Sequence, residues 1–313
     1  MREFLMKHFL DLSLVSKTDL QNILSEAKRR KSLQSNSGKV IVSDKSNAKD
    51  KLLLMVFEKP STRTRLSFDI AMRQLGGQTI VMNSSDMHLG KGEESVEDTA
   101  KVISSFSDIV MFRTFKHQTL IDLSKLLSVP LINGLTNSSH PCQLLSDVMT
   151  YEEKKGPIKN ANIAWVGDGN NVANSAIEAA VQFEFNLNVC VPKKYLPSKK
   201  ILDWAEKNNG KIKIFHDPKK GVKDVDCIMS DKWVSMGDKG DSKKKKSNLK
   251  IFQVNNKLMS LANSNAIYLH VLPAARGEEV TSSVIDGNQS LVWAQAENRL
   301  HGQKAIIDWC LTN

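Results

Sequence analysis

The feature that most limits the fold is a rhythm in which short apolar runs alternate with longer segments of helical period. Buried strands joined by helices in this way are the pattern of βαβ units and parallel sheets. In the first half, strands are predicted over 52–57, 79–82, 109–112 and 130–132, with helices over 61–75, 95–106 and 117–127. The first of these helices carries Phe68, Ala71, Met72 and Leu75 on one face and stops at Gly76-Gly77. A helix over about 141–155 runs into the charged stretch from Glu152 to Pro157, read as a domain junction. The second half repeats the plan, with strands over 163–166, 187–191, 212–215, 227–230 and 267–271 and helices over about 171–183 and 198–208. A last helix, over about 297–311, has no strand after it and is expected to pack back on the first domain. The expected fold is α/β: two parallel-sheet domains, 1–150 and 151–296, then the helix of 297–313, with a cleft between the domains at the strand C-terminal ends.

A chain of 313 residues supports two such cores, and 41% apolar with 25% charged residues is ordinary globular usage. No apolar run approaches the ~20 residues of a membrane span. Arg2, Glu3, Lys7 and His8 interrupt the apolar residues of the start, so no signal-peptide core forms there, and Met6 is an alternative start. The four cysteines, Cys142, Cys190, Cys227 and Cys310, are scattered without CxxC pairs. They read as reduced packing residues of a cytoplasmic protein, with no metal site. The formal charge of +10 raises nucleic-acid binding as an alternative. Yet Lys28-Arg29-Arg30-Lys31, Lys193-Lys194, Lys199-Lys200, Lys219-Lys220 and Lys243 to Lys246 come without any recognition-helix or aromatic RNA-binding signature. They read as solvated surface.

The chemistry begins at Glu58-Lys59-Pro60-Ser61-Thr62-Arg63-Thr64-Arg65, directly after a buried strand and at the start of a helix. A helix N-terminus offers unpaired N–H groups and a favourable dipole to an anion. Hydroxyls of Ser61, Thr62 and Thr64 add donors, and the fork of Arg63 suits phosphate oxygens. The pattern has no Walker glycines, so a nucleoside triphosphate is not implied; the competing reading is a plain Ser/Thr cap with surface arginines. In the second half Val166-Gly167-Asp168-Gly169-Asn170-Asn171-Val172 also joins a strand to a helix, but no third glycine completes a dinucleotide fingerprint. Taken singly, His88 is a loop histidine, Arg113 a salt-bridged strand end, His140 a helix-start residue, Asp231 a strand-end cap and Met236 core packing.

Together these segments resemble the aspartate/ornithine carbamoyltransferase family, in its order and over nearly the whole chain. Ser61-Thr62-Arg63-Thr64-Arg65 is similar to its carbamoyl phosphate motif. His88-Leu89-Gly90-Lys91 looks like its loop reaching into a neighbouring subunit, Phe112-Arg113-Thr114 like its strand-end arginine, and His140-Pro141-Cys142-Gln143 like its His-Pro-X-Gln motif. Gly167 to Asn171 and Asp231-Lys232-Trp233-Val234-Ser235-Met236-Gly237 resemble the segments of its ornithine-using members, and Glu297-Asn298-Arg299 their late arginine.

The resemblance implies carbamoyl transfer from carbamoyl phosphate to the δ-amine of L-ornithine, in arginine metabolism, with no metal or organic cofactor, in a homotrimer with shared sites. Carbamoyl phosphate would meet Ser61, Thr62, Arg63, Thr64, His88, Arg113, His140, Gln143, Leu272 and Arg299. In that set Arg113, His140 and Thr64 polarise the carbonyl, Gln143 accepts from the carbamoyl NH2, and Arg63 holds the phosphate. Ornithine would meet Asn171, Asp231, Ser235 and Met236, with Asp231 on the α-ammonium. One position departs from the family: His270-Val271-Leu272-Pro273 carries valine where a cysteine usually stands beside the reacting amine. Carbamoyltransferases for putrescine or an acylated ornithine are the alternatives, and Asp231 argues against putrescine, which has no α-ammonium.

Overall fold

The structure is a computed structural model that describes residues 6–35, 46–86, 94–234 and 241–312. The chain divides into two compact units, Met1–Leu145 with Arg299–Asn313, and Ser146–Asn298. Each is built on one parallel sheet.

The first unit runs α1 (Lys17–Ser35), β1 (Leu52–Phe57), α2 (Thr62–Gln74), β2 (Gln78–Asn83), α3 (Val96–Phe106), β3 (Ile109–Arg113), α4 (His117–Leu126), β4 (Leu131–Leu135) and the start of α5 (Pro141–Lys155). Its sheet has the order β2-β1-β3-β4, all parallel. Both β1 and β3 are apolar nearly throughout and almost wholly buried, as expected of central strands covered on both faces. A cluster of Leu54, Val56, Val110, Phe112, Leu120 and Leu123 packs helices onto one face. Parallel pairing brings Phe57 and Arg113 side by side at the C-terminal end of the sheet, where loops can present chemistry.

The second unit runs β5 (Asn162–Val166), α6 (Asn171–Gln182), β6 (Asn186–Cys190), α7 (Lys199–Lys207), β7 (Ile212–Phe215), α8 (Pro218–Gly221), β8 (Cys227–Ser230), α9 (Ser242–Leu249), α10 (Asn256–Met259), β9 (Ile267–His270), α11 (Ser282–Ile285) and α12 (Val292–Cys310). Its parallel order β7-β6-β5-β8-β9 reverses direction at β5, so the loops after β5 and β8 open side by side. The division between units falls inside α5 and inside α12.

One helix was missed and four expectations need correction. The first helix, α1, was not legible as one because its basic run masks a buried stripe of Leu20, Ile23, Leu24 and Ala27. Arg30, in that run, is buried and ion-paired to Glu26 and to Asp308 at 2.9 Å, so it is no solvated surface residue. The Lys243 to Lys246 run lies on α9, where Lys245 is largely buried. The final helix starts at Val292, five residues before the expected 297, because polar residues such as Gln295 and Asn298 are satisfied inside: Gln295 Nε2 donates to Asp147 and Asn298 Nδ2 to Thr150. Finally, β9 ends at His270, which leaves Val271 in the turn, its N–H a long 3.4 Å from the Ser230 carbonyl.

Candidate active site

In the first unit the strand-to-helix turn after β1 forms around Ser61, which is extended and whose Oγ accepts from the Thr64 N–H at 3.3 Å. This cap starts α2. Thr62 is exposed, Ser61 and Arg63 are half-buried and Thr64 is buried. The Thr64 hydroxyl oxygen accepts from Arg113 Nη1 at 3.4 Å and from Arg299 Nη2 at 3.2 Å. Arg299 Nη1 donates to Gln143 Oε1 at 2.7 Å. Thus residues 64, 113, 143 and 299, far apart in the chain, join in one hydrogen-bonded set, with Arg113 and Arg299 on the Thr64 hydroxyl.

The loop after β4 supplies His140. Asn133 is buried and fixes this loop, donating to the Leu10 carbonyl at 2.8 Å and to Ser139 Oγ at 2.9 Å. The Thr136 N–H then closes on the Ser139 carbonyl at 3.0 Å, and His140 stands directly before α5. Gly134 is required here: a Cβ would lie 2.3 Å from the Met111 sulfur and 3.3 Å from Arg113 Cβ. Glu58, the acid nearest in sequence, is occupied in accepting from Thr114 Oγ1 and from the Phe115 N–H at 2.8 Å.

Positive charge is gathered here out of water. Arg113 is 7% exposed, its Nε has no hydrogen-bond partner, and burial, then Arg299 and Arg63, hold it down at about 10. Burial, then the same arginines and Lys59, push His140 well below its ordinary value, so its imidazole is neutral at pH 7. Lys59 is lowered to about 8 by burial and by Arg113, partly offset by Glu58. Its ammonium donates to Asn137 Oδ1 at 3.0 Å and lies 4.6 Å from the Phe115 ring centroid. Like charges collected out of water are costly unless an opposite charge joins them. Sequence reasoning quoted Lys59 without giving it a role; its place between a buried strand and a phosphate-type turn was the available signal.

The second unit places another constellation at the ends of β5, β8 and β9. Gly167 has φ +133°, a conformation that favours glycine. Asn170 caps α6, its Oδ1 accepting from the N–H groups of Val172 at 2.9 Å and Ala173 at 3.1 Å. Its Nδ2 donates to Asp231 Oδ2 at 2.9 Å. The structure therefore sets Asn170 against Asp231, while Asn171, half-buried, opens the helix. Burial raises Asp231, countered by His270, the Lys232 N–H and Asn170. A carboxylate held up by burial gains most from a cation brought to it.

Beside it, the His270 Nδ1 accepts from the Leu272 N–H at 2.8 Å, and its Nε2 lies 3.3 Å from buried Glu279. Val271 stands half-buried between these two residues. His88, Lys91, Ser235 and Met236 lie outside the described residues.

Comparison with known proteins agrees in both halves. The profile for the carbamoyl-P binding domain of aspartate/ornithine carbamoyltransferases matches residues 7–153, and that for the Asp/Orn binding domain matches residues 159–310. The chain is 50% identical over 305 residues to an ornithine carbamoyltransferase of Rhodopseudomonas palustris, covering 97% of this chain and 96% of that one. It is similar to the solved ornithine carbamoyltransferase from Pyrococcus furiosus (TM-score 0.89, 42% identity, 96% of each chain). The same holds for the anabolic ornithine carbamoyltransferase from Campylobacter jejuni (TM-score 0.89, 36% identity, 97% and 99% of the chains). Motifs, parallel-sheet units and both profiles together make this chain a member of the aspartate/ornithine carbamoyltransferase family.

Proposed function

We propose that this protein transfers the carbamoyl group of carbamoyl phosphate to the δ-amine of L-ornithine, giving citrulline and phosphate. The observation that carries the reading is the cluster of Arg63, Arg113, Arg299 and Lys59 around Thr64 and neutral His140, a set of cations fit for a dianion. The acceptor assignment rests on Asp231, a carboxylate raised by burial that suits an α-ammonium and not the carboxylate of aspartate.

In this mechanism the α2 N-terminus and Arg63 hold the phosphate. Arg113, His140 and the Thr64 hydroxyl face the carbonyl oxygen, where negative charge develops in the tetrahedral species. Gln143, whose Oε1 accepts from Arg299 Nη1, takes a carbamoyl N–H. The neutral δ-amine attacks the carbonyl carbon, a C–N bond forms, the C–O bond to phosphate breaks, and the surplus amine proton leaves with the phosphate. Asp231, Asn171, Ser235 and Met236 serve the amino acid. The Campylobacter relative's anabolic description supports a role in arginine formation, and four buried free cysteines support a reducing, cytoplasmic setting.

A homotrimer with shared sites completes the reading. It is supported by Leu66 and Ile70 on α2 and Ile80 on the edge strand β2, apolar side chains 55%, 39% and 48% exposed on adjoining elements. Citrulline-type product formation from carbamoyl phosphate and a panel of ornithine, N-acetylornithine, putrescine and aspartate tests the acceptor. Preference for any amine other than ornithine overturns the assignment. Mixing inactive His88→Ala and Arg63→Ala chains tests sharing: recovered activity is expected, and none beyond the sum of the parents would place each site within one chain.

A further inference from the structure

The lysine run of α9 has no place in the chemistry above, yet two of its members, Lys245 and Lys246, are ion-paired. This helix reads Ser-Lys-Lys-Lys-Lys-Ser-Asn-Leu and buries only Leu249 among its own residues. So polar an element is held by its ion pairs more than by apolar packing. Lys245 Nζ donates to Asp168 Oδ2 at 2.7 Å, with the two side chains only 17% and 9% exposed, so solvent screens the pair little. The same ammonium lies 5.6 Å from the Tyr195 ring centroid, and Asn248 Nδ2 donates to the Tyr195 hydroxyl at 3.2 Å. The next lysine, Lys246, is paired with Glu278. Both anionic partners belong to acceptor turns: Asp168 precedes Asn170 by two residues, and Glu278 adjoins Glu279, the neighbour of His270.

The turn bearing Asp168 is closely determined. Its carbonyl accepts from Trp165 Nε1 at 2.9 Å, and the Gly169 N–H donates to the Tyr195 carbonyl at 3.0 Å. A Cβ on Gly169 would lie 2.4 Å from that carbonyl oxygen and from the Pro197 nitrogen. The one polar end of this turn that α9 controls is the Asp168 carboxylate. Displacing it moves Asn170, and with it the amide that orients Asp231. A shift of about 1 Å in a positioning group is enough to change catalysis strongly.

We propose that Lys245 is a positioning residue for the amino-acid acceptor, fixing through Asp168 the turn that delivers Asn170 to Asp231. The proposal rests on the carbamoyl-acceptor reading of this unit. It makes Lys245, within the lysine run, a specificity element of the reaction.

The test uses the full-length protein and begins with the wild-type amine panel, so that a wrong acceptor assignment is recognised first; the variants are then read with whichever amine the wild type prefers. Lys245→Met, which keeps the apolar stem, is expected to raise KM for that amine five- to twentyfold while KM for carbamoyl phosphate stays within twofold. Lys245→Arg, still able to bridge Asp168, is expected to restore the amine KM to within about threefold. In a double-mutant cycle with Asp231→Asn, the two effects on the amine KM should fall well short of multiplying, because Lys245 acts through Asp231. Equal changes in both Michaelis constants, or lowered stability with unchanged constants, would show the pair to be scaffold only. Fully multiplicative effects in the cycle, or no rescue by arginine with the fold intact by circular dichroism, would likewise overturn the positioning role.

Discussion

Arg113→Met is expected to stabilise the unliganded protein while removing its affinity for carbamoyl phosphate. Arg113 is 7% exposed, its Nε lacks a partner, and its remaining contacts, to Thr64 and to the Gly134 carbonyl, are long at 3.4 and 3.5 Å. Held at about 10 against an ordinary 12.5, its charge costs about 3 kcal/mol of folding free energy near neutral pH. The sign follows from the unfolded chain binding that proton more tightly than the folded one. Methionine keeps most of the unbranched stem and removes the charge, but it loses those two weak contacts and some packing. A net gain of about 1–2 kcal/mol remains. Urea unfolding at 25 °C, followed by circular dichroism with and without a phosphonate analogue of carbamoyl phosphate, measures both effects. The wild type should gain about 2.7 kcal/mol at a ligand concentration of 100 Kd, and the variant almost nothing at that concentration. A variant less stable than wild type without ligand, yet still stabilised by the analogue, would refute the reasoning: Arg113 would then be a structural residue and the anion site would lie elsewhere.

Lys59, at about 8, is charged below that pH and neutral above it, so KM for carbamoyl phosphate should rise as pH passes upward through about 8. Initial rates from pH 6.5 to 9.5 should show this, and Lys59→Arg should flatten the profile; an unchanged slope in that variant would assign the titration to another group. Over the same range turnover should climb, since the attacking amine, with an ordinary pKa near ~10.4, is increasingly neutral. Asp231→Asn should raise the ornithine KM at least tenfold and leave carbamoyl phosphate within about twofold, as read by steady-state kinetics; parallel changes in both would remove Asp231 from the acceptor. Val271→Cys should increase kcat/KM for ornithine several-fold without changing the preferred amine, since one weak orienting contact is worth on the order of 1 kcal/mol. Loss of activity in that variant would mean that the turn after His270 has been rebuilt around valine.

The strands and most helices were legible because their signal is local: a buried parallel strand such as β1 is apolar nearly throughout, and α2 starts at a Ser cap and ends before a glycine pair. The donor motif was legible for the same reason, since Ser61 to Arg65 must be contiguous to open one helix. What the sequence could not determine is partnership at long range. Arg299 meets Thr64 and Gln143 because the last helix belongs to the first unit from Arg299 onward. Two members of the basic runs were misread because charge count reports composition and not surroundings: Arg30 is drawn in by Asp308, and Lys245 by Asp168, each from a distant segment. Lys59 and Asn170 sit inside motifs quoted from the sequence, but their roles depend on Asn137 and Asp231 being brought to them. Local propensity sets where an element begins and ends, whereas the desolvation and pairing of a charge are properties of the folded neighbourhood.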